Sequence, residues 1–470
     1  MPAIDILKLD TNEGLGYTAD VHLLFAASGD LRNIVKTVAS VPESSANKFS
    51  VDVNDRDFDI VSRNAILLLV AFVAESDVQA VDCMIHVWYS AMISRDHMEL
   101  LCGPVRKLVE DVCSKITSKA PGTVLGKTWH FKSSSLRLVL TKEQWSLLLA
   151  CFSVPESLTS DRAQQIRTSI TMAHERRDHR DRALFTRPPM HRICATRFRE
   201  DGVLLPFGQS RTPFNQPNPT LFRSEDWPMK DSADPLDGWT YADISGSSYG
   251  PATNDVYGKM HSYLRRLFAD FHRRLSSLSV NFQLFNIDAQ KLDAHLQDGT
   301  FARVEVSNIS DNWCLGAAST VAHLGRFLQP SNINPHATLL TLFMNAVDEE
   351  MTSADELQSF NTELTKVLRY VPPIEISQSR YDPLALLRDA ARDLVRDNDK
   401  YFERYMKKNK FNDIEQHFGV VAKEGHTIID KWPLRLKKRP IEEGAKDEFR
   451  LLLASAHTGA ERYVEWKRAA

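Results

Sequence analysis

Apolar positions change their period several times along the chain, and each change marks an element. Asp20 to Ala27 (DVHLLFAA) is a short apolar run, Ser28-Gly29-Asp30 reads as a turn, and Leu31 to Ala39 repeats apolar residues at helical spacing. The order is strand, loop, helix. Phe49 to Asn54 (FSVDVN) alternates as a strand does, Asp55, Asp57 and Asp59 follow, and an apolar stretch runs from Ile60 to Val73. Two βα units in succession predict a mostly parallel sheet with helices on both faces and ligands at the carboxyl ends of the strands, near Ser28 to Asp30.

From Val78 to Thr117 the helical period continues, and the interruption at Gly103-Pro104 predicts a pair of helices. Arg187 to Pro251 holds nine of the 21 prolines and several turn dipeptides, which predicts a loop-rich connection without a helix. Regular pattern resumes with an Arg-rich helix, Tyr257 to Leu278, then three candidate strands: Val280 to Ile287, Phe301 to Asn308 and Ala337 to Asn345. Leu384 to Met406 reads as helix. The expected organisation is a first half of a Rossmann-like domain with a helical extension (1–150), an Arg- and Pro-rich insertion (151–256), the second half of the sheet (257–350), and a helical C-terminal region with a basic segment (351–470).

With 43% hydrophobic and 25% charged residues, the 470-residue chain falls outside the disordered and collagen-like classes. Its longest apolar run, Ala65 to Ala74, stops at Glu75, well short of the roughly 20 residues a membrane span needs. Residues 1–15 carry Asp5, Lys8, Asp10 and Glu13 in place of an apolar stretch, so no secretory signal is expected. Six cysteines without a CxxC spacing fit buried thiols in a reducing compartment. A cytoplasmic location is expected, with no membrane partner.

The short motifs are weak. Gly14, Gly16 and Ala19 satisfy GxGxxA but precede the first strand, where a dinucleotide fingerprint must follow one. Gly122, Gly126, Lys127 and Thr128 resemble a phosphate loop that is one residue short. Gly246, Ser248 and Gly250 form a literal GxSxG in a loop-rich context, with His426 as a distant triad partner. His174, His179, His191 and Cys194 match no common zinc spacing, and surface solvation explains them. Neither a resident metal nor a cofactor is expected.

Three polar clusters fall at expected strand ends. Ser28, Gly29, Asp30, Arg32 and Asn33 follow the first strand; Gly29 allows close approach of a ligand, and Asp30 can cap the next helix. Asn54 and Asp55 end the second strand, where an acid can accept from a ribose hydroxyl. Glu305, Ser307, Asn308 and Asp311 close a third. Positive charge is localised although net charge is only −3: residues 162–199 hold ten Arg against three acids, and Lys259 to Arg274 and Lys431 to Arg439 are basic too. Such localisation fits a nucleic-acid footprint, with solvated helix faces as the plainer reading.

The segments LLFAASGDLRNI (23–34), VNDRDFDIVSRN (53–64), RVEVSNISD (303–311), NPHATLLTLFMNAV (334–347) and KWPLRLK (431–437) resemble a domain of formerly unknown function. That domain occurs in fungal proteins, some bearing a MYND zinc finger, and in dynein axonemal assembly factors. The resemblance implies a Rossmann-like, methyltransferase-like fold. Relatives commonly read GxGD where this chain reads Ala27-Ser28-Gly29-Asp30. Within the family, the chain looks like the arginine-containing cyclodipeptide synthases of fungal secondary metabolism, although their DDxxE motif is absent and Asp348-Glu349-Glu350 is the closest acidic cluster.

That likeness implies an enzyme that joins amino acids from aminoacyl-tRNAs, arginyl-tRNA among them, into a diketopiperazine. Ser28, Asp30, Glu305 and Ser307 would then be catalytic, and Gly29, Arg32, Asn33, Asn54, Asp55, Asn308 and Asp311 would bind substrate. Arg176, Arg177, Arg265, Arg266, Lys437 and Lys438 would contact tRNA, and no role for DNA is implied. The alternatives within the same fold are an S-adenosylmethionine-dependent methyltransferase-like enzyme and a non-catalytic assembly protein.

Overall fold

A computed structural model describes residues 1–371 and 383–469; the part of the expected C-terminal region at 372–382 lies outside the described residues. The strands are β1 (Val21–Phe25), β2 (Lys48–Asn54), β3 (Met92–Ser94), β4 (Val124–Phe131), β5 (Ser134–Thr141), β6 (Phe214–Pro217), β7 (Ser279–Phe285), β8 (Arg303–Glu305), β9 (Thr338–Phe343), β10 (Val420–Ala422) and β11 (Arg462–Arg468). Six helices matter for the site: α1 (Arg32–Ala39), α2 (Phe58–Val73), α3 (Asp77–Tyr89), α4 (Ser160–Thr171), α5 (Pro189–Asp201) and α6 (Val256–Ser277).

One sheet takes the order β10-β11-β9-β8-β1-β2-β7-β5-β4, and a separate pair joins β3 to β6. β1 lies parallel to both β2 and β8, with Leu23 opposite Val51 on one side and Arg303 on the other. β7 and β9 continue the parallel run outward, and β4 and β11 are antiparallel to their neighbours. Counted in chain order without β4 and β5, the sheet reads 3-2-1-4-5-7-6, with the last strand antiparallel.

Alternate side chains of β1 feed two cores. Leu23 and Phe25 join Val51 and Ile66 on one face, while Leu24 and Ala26 join Leu292 and Phe343 on the other. A strand buried on both faces requires the unbroken apolar run seen at 23–27. Helix α2 is buried almost all round from Val61 to Ala71, and the Asp57 side chain caps it by accepting the Asp59 N–H.

Several expectations need correction. The break between Val78 and Thr117 falls at Ser90, where β3 intervenes; Gly103-Pro104 sits inside a wide π-turn, Leu101–Val105, that joins two helical pieces without separating them. A wider turn removes the hydrogen bond that proline cannot make. The Arg- and Pro-rich insertion contains a helix where none was expected. α5 starts on Pro189 at its first position and ends on Gly202 at φ +70, so both punctuating residues sit at helix ends, where they are favoured.

The candidate strand Phe301 to Asn308 shortens to β8, because Ser307 turns the chain at φ +51. The C-terminal region is helical at Ser353–Val367, Pro383–Val395 and Asp399–Lys408, so Leu384 to Met406 divides into two helices. It also supplies β10, only three residues long, and β11, whose charged residues mask the strand pattern. Among the described residues, no helix is long and apolar enough to cross a membrane.

Candidate functional site

The loops after β1, β2 and β8 meet at one edge of the sheet, where β1 has a parallel neighbour on each side. This is the place where open α/β sheets form a crevice. Here the loops are stitched to each other. Ser28 N–H donates to the Asn54 carbonyl at 2.9 Å, and Asn54 Nδ2 donates to the carbonyls of Ala26 and Ile287 at 2.9 and 3.0 Å. Gly29, at φ +60, donates its N–H to Asp55 Oδ2 at 2.9 Å, and Asp55 Oδ1 accepts the Asp57 N–H at 2.9 Å. Both carboxylate oxygens of Asp55 are therefore engaged inside the protein.

The remaining polar residues singled out in the sequence divide by position. Asp30 Oδ1 accepts the Arg32 N–H at 3.1 Å, and its carboxylate pairs with the Arg32 guanidinium at 2.7 Å. Asn33 Oδ1 accepts the Ile4 N–H. Ser28 Oγ lies 3.5 Å from Asn64 Nδ2. Asp311 is wholly buried and accepts from the backbone of Met344 and the side chain of Asn345, while the Asn308 carbonyl accepts the Asp311 N–H.

Glu305 differs from these. It is buried, its Oε1 accepts the Ser307 N–H at 2.8 Å, and its Oε2 has no partner. Burial pushes its carboxyl up to about 7, with nearby Asp30 acting in the same direction.

A cavity of about 530 Å³ opens on the outer side of the β1 loop. Gly29, Asp30 and Arg32 reach it from the loop, Arg63 and Asn64 from α2, and Trp88 and Tyr89 from the end of α3. The insertion closes it with Arg167, Phe198, Arg199 and Trp227, and with Asp234 and Asp237. The Arg32 side chain packs directly over Gly238, where a Cβ would lie 2.3 Å from Nη1 and would displace the guanidinium.

The charges lining this cavity are not all neutralised alike. Arg63 donates to the carbonyls of Val87 and Trp88, and burial brings its guanidinium down to about 10. Asp234 pairs with Arg187 at 2.7 Å and accepts from the Tyr257 hydroxyl. Burial, followed by the charge of Asp234, pushes Asp237 up to about 6. Acids, guanidiniums and aromatic faces together suit a ligand carrying both signs of charge and an apolar part.

A second cavity of about 480 Å³ is lined by Arg187, Arg435, Lys437 and Lys438, and Asp237 lines both cavities. Lys437 and Lys438 of the expected basic set border a cavity, with the Lys437 ammonium paired to Asp430 and that of Lys438 donating to the Glu443 carbonyl. Arg265 and Arg266 are engaged by Asp82 and by Ser247 Oγ, and Arg176 and Arg177 by Asp231 and Asp181. Three of the ten arginines at 162–199, Arg167, Arg187 and Arg199, are buried and serve the fold. Arg167 donates to the carbonyls of Phe198 and Arg199 at the end of α5.

The weak motifs find ordinary places. Lys127 and Thr128 lie in the edge strand β4, and Ser248 follows a short helix, Tyr241–Gly246, instead of a strand. His191 contacts the Tyr241 hydroxyl, while His174 and His179 belong to separate short elements. Asp234 and Asp237 were missed because they sit in a Pro- and Gly-containing turn that gives no periodic signal.

The family described as a domain of unknown function, DUF4470, matches residues 1–93, the segment holding β1, β2, α2 and α3. Neither the curated proteins nor the solved structures gave a match to the chain.

Proposed function

We propose that the protein is an aminoacyl-tRNA-dependent cyclodipeptide synthase, built on a methyltransferase-like Rossmann scaffold, that forms an arginine-containing diketopiperazine. The observation that carries this reading is the junction of the two cavities at Asp237: one combines the carboxylates of Asp30 and Asp237 with guanidiniums and aromatic faces, the other sets Arg435, Lys437 and Lys438 beside Asp447 and Glu448. The first suits an aminoacyl group, which brings an ammonium and, for arginine, a guanidinium to the carboxylates and a polar ester to the cavity's own guanidiniums. The second suits the phosphate-bearing end of the tRNA.

The chemistry is aminolysis of an ester that is already activated. The α-amine of one aminoacyl group attacks the ester carbonyl of the other, a C–N bond forms, and the C–O bond to the tRNA ribose breaks. Asp30, which is partly exposed at the cavity, holds the ammonium or guanidinium group, and Asp234 stays paired with Arg187. Asp237, whose carboxyl is pushed up to about 6, takes the proton from the attacking amine and returns it to the departing ribose hydroxyl. A second aminolysis within the dipeptide closes the ring and releases the other tRNA.

A methyltransferase-like enzyme is the second reading, favoured by the 3-2-1-4-5-7-6 strand order. Against it, Gly29 N–H and the Asp55 carboxylate satisfy each other at the position where a nucleoside would need both. Product analysis after incubation with charged tRNA tests the first reading. Calorimetry with S-adenosylmethionine tests the second, and failure of both favours a non-catalytic role.

A further inference from the structure

Away from both cavities, α3 and α6 bring together an aspartate and two histidines that the proposed reaction does not use. Asp82 and His86 stand one turn apart on one face of α3, and His261 projects from α6. One ligand atom from each lies within 4.8 Å of the others. His86 is completely buried and His261 is 6% exposed, yet Nε2 of each has no hydrogen-bond partner. A buried polar nitrogen left unpaired is costly, so two in one cluster require an explanation.

The surrounding hydrogen bonds prepare these atoms for a ligand. His86 Nδ1 lies 2.9 Å from Ser90 Oγ, which also accepts the Leu204 N–H. If Nδ1 holds the proton and donates it to Ser90, Nε2 presents a lone pair. The opposite tautomer would bury an N–H with no acceptor. His97 Nδ1 accepts the Ser94 N–H at 3.2 Å, so its proton resides on Nε2 and is donated to Asp82 Oδ2 at 3.2 Å. Both arrangements are the outer-shell bonds that orient metal-binding imidazoles and carboxylates.

We propose that Asp82, His86 and His261 bind one zinc ion that fastens α3 to α6 beneath the insertion. Two imidazoles and a carboxylate form a zinc donor set, with a fourth position left to water. Donor atoms around tetrahedral zinc stand about 3.3–3.6 Å apart when the bonds are about 2.0–2.2 Å, so the cluster needs to close by no more than about 1.5 Å on binding. The competitor is Arg265, whose guanidinium holds Asp82 Oδ1 at 2.9 Å. Its side chain is 40% exposed and can turn to solvent when the ion enters. The Phe214 ring of β6, 4.5 Å from that of His86, brings the insertion against the same point.

The test uses full-length protein stripped with a chelator and titrated with zinc against a chromophoric competitor, alongside elemental analysis and melting curves. The expected result is one zinc per chain and a rise in melting temperature. His261→Gln should weaken binding more than about 100-fold, since losing an outer-shell partner alone typically costs 10–100-fold. His97→Gln should weaken it about tenfold with all three ligands retained, which keeps the test valid if His261→Gln fails to fold. Arg265→Gln should tighten binding. Well under one zinc per chain, stoichiometric iron in its place, or unchanged affinity in the two histidine variants would overturn the proposal.

Discussion

The backbone N–H of Gly29 donates to the Asp55 carboxylate across 2.9 Å, tying the loop after β1 to the loop after β2. An acid at the end of the second strand therefore shapes the first loop from within, and the cavity forms on the loop's other side. Asp55→Ala should lower unfolding free energy in urea by about 2 kcal/mol, because two N–H groups lose their acceptor. Gly29→Ala should cost about 1 kcal/mol, from its left-handed backbone alone, since nothing lies within 4 Å of the added Cβ. A larger loss at Gly29 than at Asp55 would contradict this account of the loop.

Glu305 should make stability pH-dependent. Its folded carboxyl stands at about 7, against 4.5 ordinarily, so the folded state binds the proton more tightly. The contribution is full below about pH 4.5 and is lost as pH rises through 7, with an ionisation cost on the order of 3 kcal/mol. Asp30 and Tyr463 are its ionisable neighbours. Melting curves at pH 5 and pH 8 should show a smaller fall for Glu305→Gln than for the parent. Equal falls would remove Glu305 as the source.

Arg303 and Glu13 form a buried pair at 2.9 Å with side chains 1% and 2% exposed. Arg303 also donates to the carbonyls of Ile6 and Leu7, fastening residues before β1 to the sheet. Arg303→Met should destabilise the fold by about 3–5 kcal/mol, because Glu13 is left buried without its partner. Urea denaturation measures it, and a loss below about 1 kcal/mol would show that Glu13 finds another partner.

The sequence revealed the parallel sheet because β2 alternates, β1 and α2 are apolar runs of strand and helix length, and Gly29 and Asp30 end the first of these runs. It hid the other half of the cavity. Arg63 lies within an apolar helix, and whether Arg167 or Arg199 is a solvated charge or a buried cap depends on α4 and α5 meeting, which no local pattern encodes. β8 was overextended because Val304 and Val306 alternate well, while the Ser307 turn leaves no residue-type signature. Asp82 and His86 show helical spacing, but His261 joins them only through packing of α3 on α6.

Binding of tRNA should depend steeply on salt, since each phosphate contact releases counterions. The double variant Lys437→Glu/Lys438→Glu should bind more weakly and reduce the slope of log affinity against log salt by about 2. Filter binding across a salt series measures both. An unchanged slope would separate the second cavity from the tRNA.

Asp237→Asn should lower the rate of product formation by at least about 100-fold, the lower range for a positioned general base, while leaving tRNA affinity unchanged. Single-turnover assays with charged tRNA separate the two quantities. A normal rate would move the base elsewhere in the cavity.

The most direct test of the central claim is mass spectrometry of the products formed when the purified protein is incubated with tRNA, amino acids, ATP and aminoacyl-tRNA synthetases. The account predicts an arginine-containing diketopiperazine that disappears on ribonuclease treatment. Folded protein that yields no diketopiperazine, or yields one that survives ribonuclease, would contradict it.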